Sequence, residues 1–148
     1  MCEAPEPEAS DLERFVEAQD ADGTYERALA ELREGRKRTH WMWFVFPQLA
    51  GLGNSATARR YAIASLDEAR RYLAHPVLGP RLIECAQVLA ATPGRDASAI
   101  LGPVDALKLR SSMTLFCLAG PEDPEPRAVL DRFFAGMPDP ATEERLRR

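Results

Sequence analysis

The chain has 148 residues, of which 45% are hydrophobic and 28% are charged, and its formal net charge is −4. This length fits one domain, and the mixture of apolar and charged residues excludes a disordered or fibrous protein. The acidic balance argues against a protein that coats the backbone of nucleic acids, because such proteins carry a surplus of positive charge.

The cysteines and the N-terminus indicate where the chain resides. Cys2, Cys85 and Cys117 are far apart and form no C-x-x-C pair, so neither disulfides nor a zinc site is indicated. The N-terminus is acidic where a signal peptide would be basic and then apolar, and no apolar run is long enough to span a bilayer. We therefore expect a cytoplasmic protein without metal, cofactor or membrane contact. Residues 1–9 are predicted to be a flexible acidic tail, and 10–148 a single helical domain.

The first part of the domain is predicted to form two helices. Ser10 and Glu13 match a capping box, and the helix that they open should run to about Gln19. Thr24 is predicted to cap the second helix, because a threonine hydroxyl can accept from the first amides of a helix. Gly35 is predicted to end it in a left-handed conformation.

The stretch from Arg36 to Ser55 is the most unusual part of the sequence. It reads RKRTHWMWFVFPQLAGLGNS and holds both tryptophans, one of the two histidines and a basic triplet. Propensity favours a strand for HWMWFVF, which is short, aromatic and closed by Pro47. No partner strand appears elsewhere, so a short helix capped by Thr39 is the preferred prediction. The composition is typical of a nucleotide pocket, and equally of a core segment that follows a basic turn.

The rest of the chain has the pattern of helices joined by short loops. Capping residues or prolines mark predicted starts at Ser55, Ser65, Pro80, Asp96, Asp105, Pro126 and Asp139. Apolar residues recur at helical spacing after these starts, and no internal repeat is present. The sequence therefore predicts an all-α fold, a compact bundle of about seven or eight short helices.

The helix predicted from Asp105 holds the second unusual segment, DALKLRSSMTLF. Asp105, Lys108 and Ser112 are spaced to form one polar stripe beside an apolar face. A lysine that is partly desolvated there would offer an amine that attacks C1 of a sugar and forms a Schiff base. Alternatively, Asp105 is an ordinary helix cap and Lys108 its exposed partner.

Several of these segments together resemble one family. HWMWFVFPQ, the GLG-x-S that follows it, HPVLG and D-x-x-K-x-x-S-S-M-T-L-F look like a bacterial and fungal family, domain-of-unknown-function family 1810. The resemblance runs in order from about Phe15 to Gly136 and implies a compact, mostly helical domain. A weaker resemblance, of fold only, is to the NADAR-type helical domains, which process ADP-ribose and related N-glycosides and also carry a lysine on a late helix.

From the residues and the resemblance together we predict one ligand site that joins both unusual segments. The candidate catalytic residues are Lys108, Asp105 and His40. The candidate ligand-binding residues are Lys37, Trp41, Trp43, Gln48, Gly51, Gly53, Ser55 and Ser112. An indole would stack on a base, which is worth about 1–3 kcal/mol, while loop amides and cations would bind phosphate. A packed or capping role is the alternative for His40.

Three functions are compatible with such a site. The first is an enzyme that hydrolyses the N-glycosidic bond of an ADP-ribose-like or nucleotide-like compound. The second is a module that binds the same kind of ligand without chemistry. The third is a helical domain whose exposed aromatic block docks a protein partner.

Overall fold

The computed structural model describes residues 8–94 and 96–148, and their regular structure consists of ten α-helices and one 3-10 turn. In chain order the elements are α1 (Glu8–Asp20), the turn Ala21–Gly23, α2 (Thr24–Glu34), α3 (Met42–Val45), α4 (Ala56–Arg60), α5 (Leu66–Ala74), α6 (Leu78–Ala91), α7 (Ala97–Leu101), α8 (Pro103–Ala119), α9 (Pro124–Phe134) and α10 (Pro140–Leu146). The predicted all-α class is confirmed. The predicted number of seven or eight helices is too low. Three of the ten helices, α3, α4 and α7, are only four or five residues long, and segments this short are hard to count from sequence.

Several helix starts agree with the caps predicted from the sequence. Ser55, Ser65, Asp96 and Asp139 each accept a hydrogen bond from the backbone amide three residues later. Other helices begin earlier than predicted: α1 at Glu8, α6 at Leu78, α8 at Pro103 and α9 at Pro124. A proline at the first helical position loses no hydrogen bond, which explains the starts of α8 and α9. Most of the predicted tail, residues 1–7, lies outside the described residues.

Helix α8 is the central element of the core. It packs against α5, α7, α9 and α10, and more than half of its residues are buried. Leu109, Met113 and Phe116 are fully buried, and burial of side chains of this size stabilises a fold by about 1.5–3 kcal/mol each. In the part of the chain that the structure describes, no helix has the length and hydropathy needed to cross a membrane.

The aromatic segment folds as the short helix α3, as predicted, rather than as a strand. The residue before its first turn is Trp41, so the predicted cap at Thr39 is wrong. Gln19 of α1 fixes the end of α3, since its Nε2 donates to the carbonyl of Phe44 at 2.7 Å. A single parallel bridge between Leu49 and Ile63 is the β pairing found among the described residues.

A buried carboxylate shapes the loop between α2 and α3. Glu31 is 5% exposed, and it accepts hydrogen bonds from the amides of Arg38 and Thr39, from the Thr39 hydroxyl and from the indole Nε1 of Trp41, at 2.8–3.1 Å. Burial by itself acts to raise the pKa of Glu31, but these hydrogen bonds outweigh it and lower the pKa from 4.5 to about 2. Thr39 therefore binds Glu31 instead of capping α3.

We predict that Glu31 makes the stability of the protein depend on pH. Because its pKa is lower in the folded than in the unfolded chain, the unfolded chain is protonated first, and stability is lost as the pH falls from about 4.5 to about 2. A difference of this size corresponds to about 3 kcal/mol at neutral pH, of which about 2 kcal/mol is lost by pH 3. Urea unfolding at pH 6 and pH 3 measures this loss in the wild type.

The Glu31→Gln variant should be about 1–3 kcal/mol less stable at pH 6, because a carboxamide leaves some of the donors unsatisfied. It should lose about 2 kcal/mol less than the wild type on acidification. Glu34→Gln is the matched control, since Glu34 is about half exposed and pairs with Arg38 on the surface. An acid loss in Glu31→Gln as large as that of the wild type would contradict the prediction.

Candidate functional site

The carboxylate of Asp105 joins the two unusual segments of the sequence. Lys37 Nζ lies 3.0 Å from one of its oxygens, and Lys108 Nζ lies 3.4 Å from the other. The side chains of Lys37, Asp105 and Lys108 are 10%, 17% and 22% exposed, so water screens these ion pairs only in part. Asp105 lies in the first turn of α8 and does not cap it, so its carboxylate can bind both lysines. The prediction that Asp105 caps this helix is therefore wrong.

The local backbone brings Lys37 to this carboxylate. The amide of Lys37 donates to the carbonyl of Ile100 at 2.7 Å, which fastens the loop after α2 to the end of α7. Helix α8 starts three residues after Ile100, so its first turn lies next to the loop. Asp105 and Lys108 are then one helical turn apart on the same face.

Each lysine also lies against a tryptophan. Lys108 Nζ is 4.5 Å from the centroid of Trp43, and Lys37 Nζ is 5.3 Å from that of Trp41. Both distances are within the range of cation–π attraction, about 6 Å. The result is a row of side chains, named here the lysine row, in the order Trp41, Lys37, Asp105, Lys108 and Trp43.

A cavity of about 430 Å³ lies beside one end of the lysine row. Trp43, Gln48 and the loop that leads into α4 form one wall, and α8 forms the other. The start of α10 closes one side, through Asp139. The volume is within the range of small-molecule sites, about 300–1,000 Å³. A second cavity of about 450 Å³ near Cys117 and Arg127 contains none of the residues predicted for the site.

Five of the eleven predicted site residues line this cavity. Those that line it are Lys108, Trp43, Gln48, Gly53 and Ser55. Asp105 and Lys37 are not in its lining. Asp105 contacts Lys108 directly, and Lys37 is linked to Lys108 through the Asp105 carboxylate that both lysines bind. Within the described residues, no three His, Cys, Asp or Glu side chains form a group that would hold a metal ion.

Two predicted ligand-binding residues are buried in the core. Trp41 is 0% exposed and its indole N–H is bonded to Glu31, so the expected stacking of Trp41 on a ligand is wrong. Ser112 is also 0% exposed. Ser111 lines the cavity in its place, because the next residue along a helix lies about 100° further round its axis.

Two other predicted residues, His40 and Gly51, are not in the lining of the cavity. His40 is exposed and is not part of the lining, so the structure gives no support to its predicted catalytic role. Gly51 has a positive φ of 96°, and the guanidinium of Arg145 covers the place where a side chain would be. Arg145 Nε also donates to the carbonyl of Ala50 at 2.9 Å. The Arg145 side chain of α10 therefore lies against the Gly51 loop, at the place where a bound phosphate was predicted.

Sequence reasoning identified Asp139 only as a helix start, although it lines the cavity. One oxygen of its carboxylate accepts from the Ser111 hydroxyl at 3.1 Å, and from the amide and hydroxyl of Thr142 at 3.0 and 2.6 Å. These bonds fasten α10 to α8. Nothing local in the sequence shows that this cap faces a cavity.

A compositional feature of the sequence also points to the lysine row. Of the 19 basic residues of the chain, two are lysines, Lys37 and Lys108, and the others are arginines. Both lysines bind the Asp105 carboxylate. Lysine is the basic residue whose amine can be deprotonated to act as a nucleophile, whereas arginine stays protonated. Counting the two residue types separately therefore gives a sequence-level indication of the site.

Comparison with known proteins identifies the family. The family model described as protein of unknown function (DUF1810) matches residues 9–146. The chain belongs to this family. The crystal structure of the conserved hypothetical protein Rv1873 from Mycobacterium tuberculosis is similar to this DUF1810 chain with a TM-score of 0.90 and 50% identity, over 93% of this chain and 97% of that one. Comparison with curated proteins gives no match.

We predict that the two tryptophans of this DUF1810 protein differ in their access to acrylamide, a neutral quencher of fluorescence. Trp41 is 0% exposed, whereas Trp43 is partly exposed at the cavity. The Trp43→Phe variant, which emits from Trp41 alone, should be quenched several-fold less than the Trp41→Phe variant. Trp41→Phe should also be destabilised by about 1–2 kcal/mol, because Glu31 loses a donor. Equal quenching of the two variants would contradict the placement of these side chains.

Proposed function

We propose that this protein hydrolyses the N-glycosidic bond of a nucleotide-like or ADP-ribose-like compound held in the cavity. The observation that carries the proposal is the contact between Lys108 and Asp105 at a cavity walled by Trp43. An amine can act as the nucleophile, a carboxylate can carry the proton, and an indole can stack on a base. Lys108 lies 3.4 Å from the Asp105 carboxylate, behind the lining, and 4.5 Å from the centroid of Trp43, within it.

The apolar lining of the cavity supports the binding of an aromatic ligand. Val104 and Leu107 are 66% and 64% exposed, although both are large and hydrophobic. They lie on the same wall as Lys108. Adjacent exposed apolar side chains commonly mark a binding surface, and a base between them and Trp43 would cover them. The amides of Gln48 and Asn54, which also line the cavity, would then bond to the edge of the base.

The proposed reaction begins with transfer of a proton from the Lys108 ammonium to Asp105. The neutral amine attacks C1 of the sugar, the bond from C1 to the base breaks, and its electron pair stays on the base nitrogen; a purine then takes the proton from Asp105, whereas nicotinamide leaves as the neutral pyridine. The sugar ring then opens by cleavage of its C1–O bond, the ring oxygen takes one of the two protons of the nitrogen that is now bonded to C1, and a protonated Schiff base remains on Lys108. Water hydrolyses this Schiff base, which releases the sugar and restores the amine.

A specific observation favours a second candidate, a module that binds the same ligand without chemistry. Lys108 has both a carboxylate partner and an aromatic partner, and an ammonium held in this way is suited to bind an anionic group as a fixed charge. The exposed Val104 and Leu107 are also compatible with the docking of a protein partner.

We predict that sodium borohydride traps a sugar on Lys108 during turnover. The substrates to test are adenosine, AMP, nicotinamide mononucleotide and NAD, which all contain an N-glycosidic bond. Borohydride reduces a Schiff base to a stable amine, and peptide mass spectrometry can locate it, because the chain has only two lysines. Lys108→Ala should lose the adduct and at least about 100-fold in rate, the typical contribution of such a group.

Two matched variants separate the candidates. Lys108→Arg keeps a cation beside Trp43 but cannot form a Schiff base, so it should retain the rise in melting temperature caused by ligand and lose turnover. Lys37→Arg should keep both the rise in melting temperature caused by ligand and the turnover. If the Lys108→Ala protein reacts at the normal rate, Lys108 is not the nucleophile. A ligand that stabilises the wild type and is never consumed would favour the binding module.

A further inference from the structure

We propose that the cavity selects ligands with no more than one phosphate, namely nucleosides and nucleoside monophosphates, and discriminates against a pyrophosphate. This inference rests on the proposed function and narrows its ligand class. It comes from the charges on the cavity wall. Among the residues that line the cavity, Lys108 is the cation and Asp139 is the anion.

Among the described residues, the other cations near this wall are already engaged; Arg110, for example, donates to the carbonyls of Met137 and Pro138 and is not in the lining. Lys37 and Asp105 are paired at 3.0 Å and cancel each other. Arg59 donates to the carbonyl of Asn54 at the rim, but its side chain is exposed and is therefore strongly screened by water. One phosphate group can thus bind the Lys108 ammonium, and a second would have no ammonium of its own.

The negative charge of Asp139 is held in place at the cavity. Its carboxylate caps α10 and binds Ser111, while its backbone amide donates to the Thr114 hydroxyl at 2.8 Å. The side chain therefore cannot turn away from a ligand without breaking the cap. Ser111 is one turn of α8 from Lys108, so Asp139 is bound to the turn of the helix that follows the one carrying the cation.

This arrangement suits a ligand with an anion at one end and hydroxyl groups at the other. A phosphate would pair with Lys108, and ribose hydroxyls would donate to the second carboxylate oxygen of Asp139, which accepts no hydrogen bond from the described residues. A pyrophosphate would place additional negative charge near Asp139. At about 7 Å, with an effective dielectric constant between about 20 and 80, this repulsion weakens affinity by about threefold to fiftyfold.

Isothermal titration calorimetry with adenosine, AMP, ADP and ADP-ribose tests the inference, because these ligands share a base and differ in phosphate. AMP should bind the wild type at least threefold more tightly than ADP or ADP-ribose. In Asp139→Asn the ratio of ADP to AMP affinity should approach one, since asparagine keeps the helix cap and removes the charge. Asp139→Ser, which also keeps a cap, should behave in the same way. Lys108→Met should weaken AMP binding more than adenosine binding, because only AMP has a phosphate to pair with the ammonium.

The possible outcomes separate this inference from the proposed function. Tighter binding of ADP or ADP-ribose than of AMP would overturn the inference and leave the hydrolase proposal intact. The same holds if the ratio of affinities is unchanged in both Asp139 variants. If none of the four ligands binds the wild type, both the proposed function and the inference fail.

Discussion

The hydrogen bonds to the buried carboxylate of Glu31 fix the loop that leads to Trp43, one of the residues that line the cavity. They bring the backbone of residues 38 and 39 and the indole of Trp41 to one point on α2. The loop is thereby fixed, α3 begins directly after Trp41, and Trp43 reaches the cavity on the first turn of α3. A hydrogen bond to a charged group contributes about 1.5–3 kcal/mol, so this one carboxylate orders a segment that has almost no regular structure of its own.

The lysine row is a different kind of interaction, because it is of little use for stability. Taking charges out of water costs about as much as their attraction returns, so partly buried ion pairs stabilise a fold weakly. The stability of the fold comes instead from buried apolar side chains such as Leu109, Met113 and Phe116. Two ammonium groups that share the Asp105 carboxylate beside an open cavity therefore contribute little to the stability of the fold.

The sequence was sufficient to predict the fold class and several helix starts, because both depend on local rules. A hydroxyl or carboxylate at Ser55, Ser65, Asp96 or Asp139 caps a helix whatever the rest of the chain does. We also predicted that the two unusual segments meet at one site, and the ion pair of Lys37 with Asp105 joins them.

The roles of single residues depended on contacts that no local pattern encodes. Trp41 was predicted to stack on a ligand, but its indole N–H donates to Glu31 and its ring is buried. Gly51 was predicted to lie in a phosphate-binding loop, but the side chain of Arg145, which is 94 positions away in the sequence, packs against it. Ser111 and Ser112 follow Lys108 by three and four residues, about 60° to one side of it and about 40° to the other, so spacing alone does not decide which serine faces the cavity.

The scarcity of lysine has a practical consequence for handling the protein. Most soluble proteins have ammonium groups scattered over their surface, so fixatives, dyes and cross-linkers that react with amines label them at random. Here both side-chain amines lie in one partly buried row beside the cavity. Such reagents would report on the occupancy of the cavity, and immobilisation through side-chain amines would obstruct it.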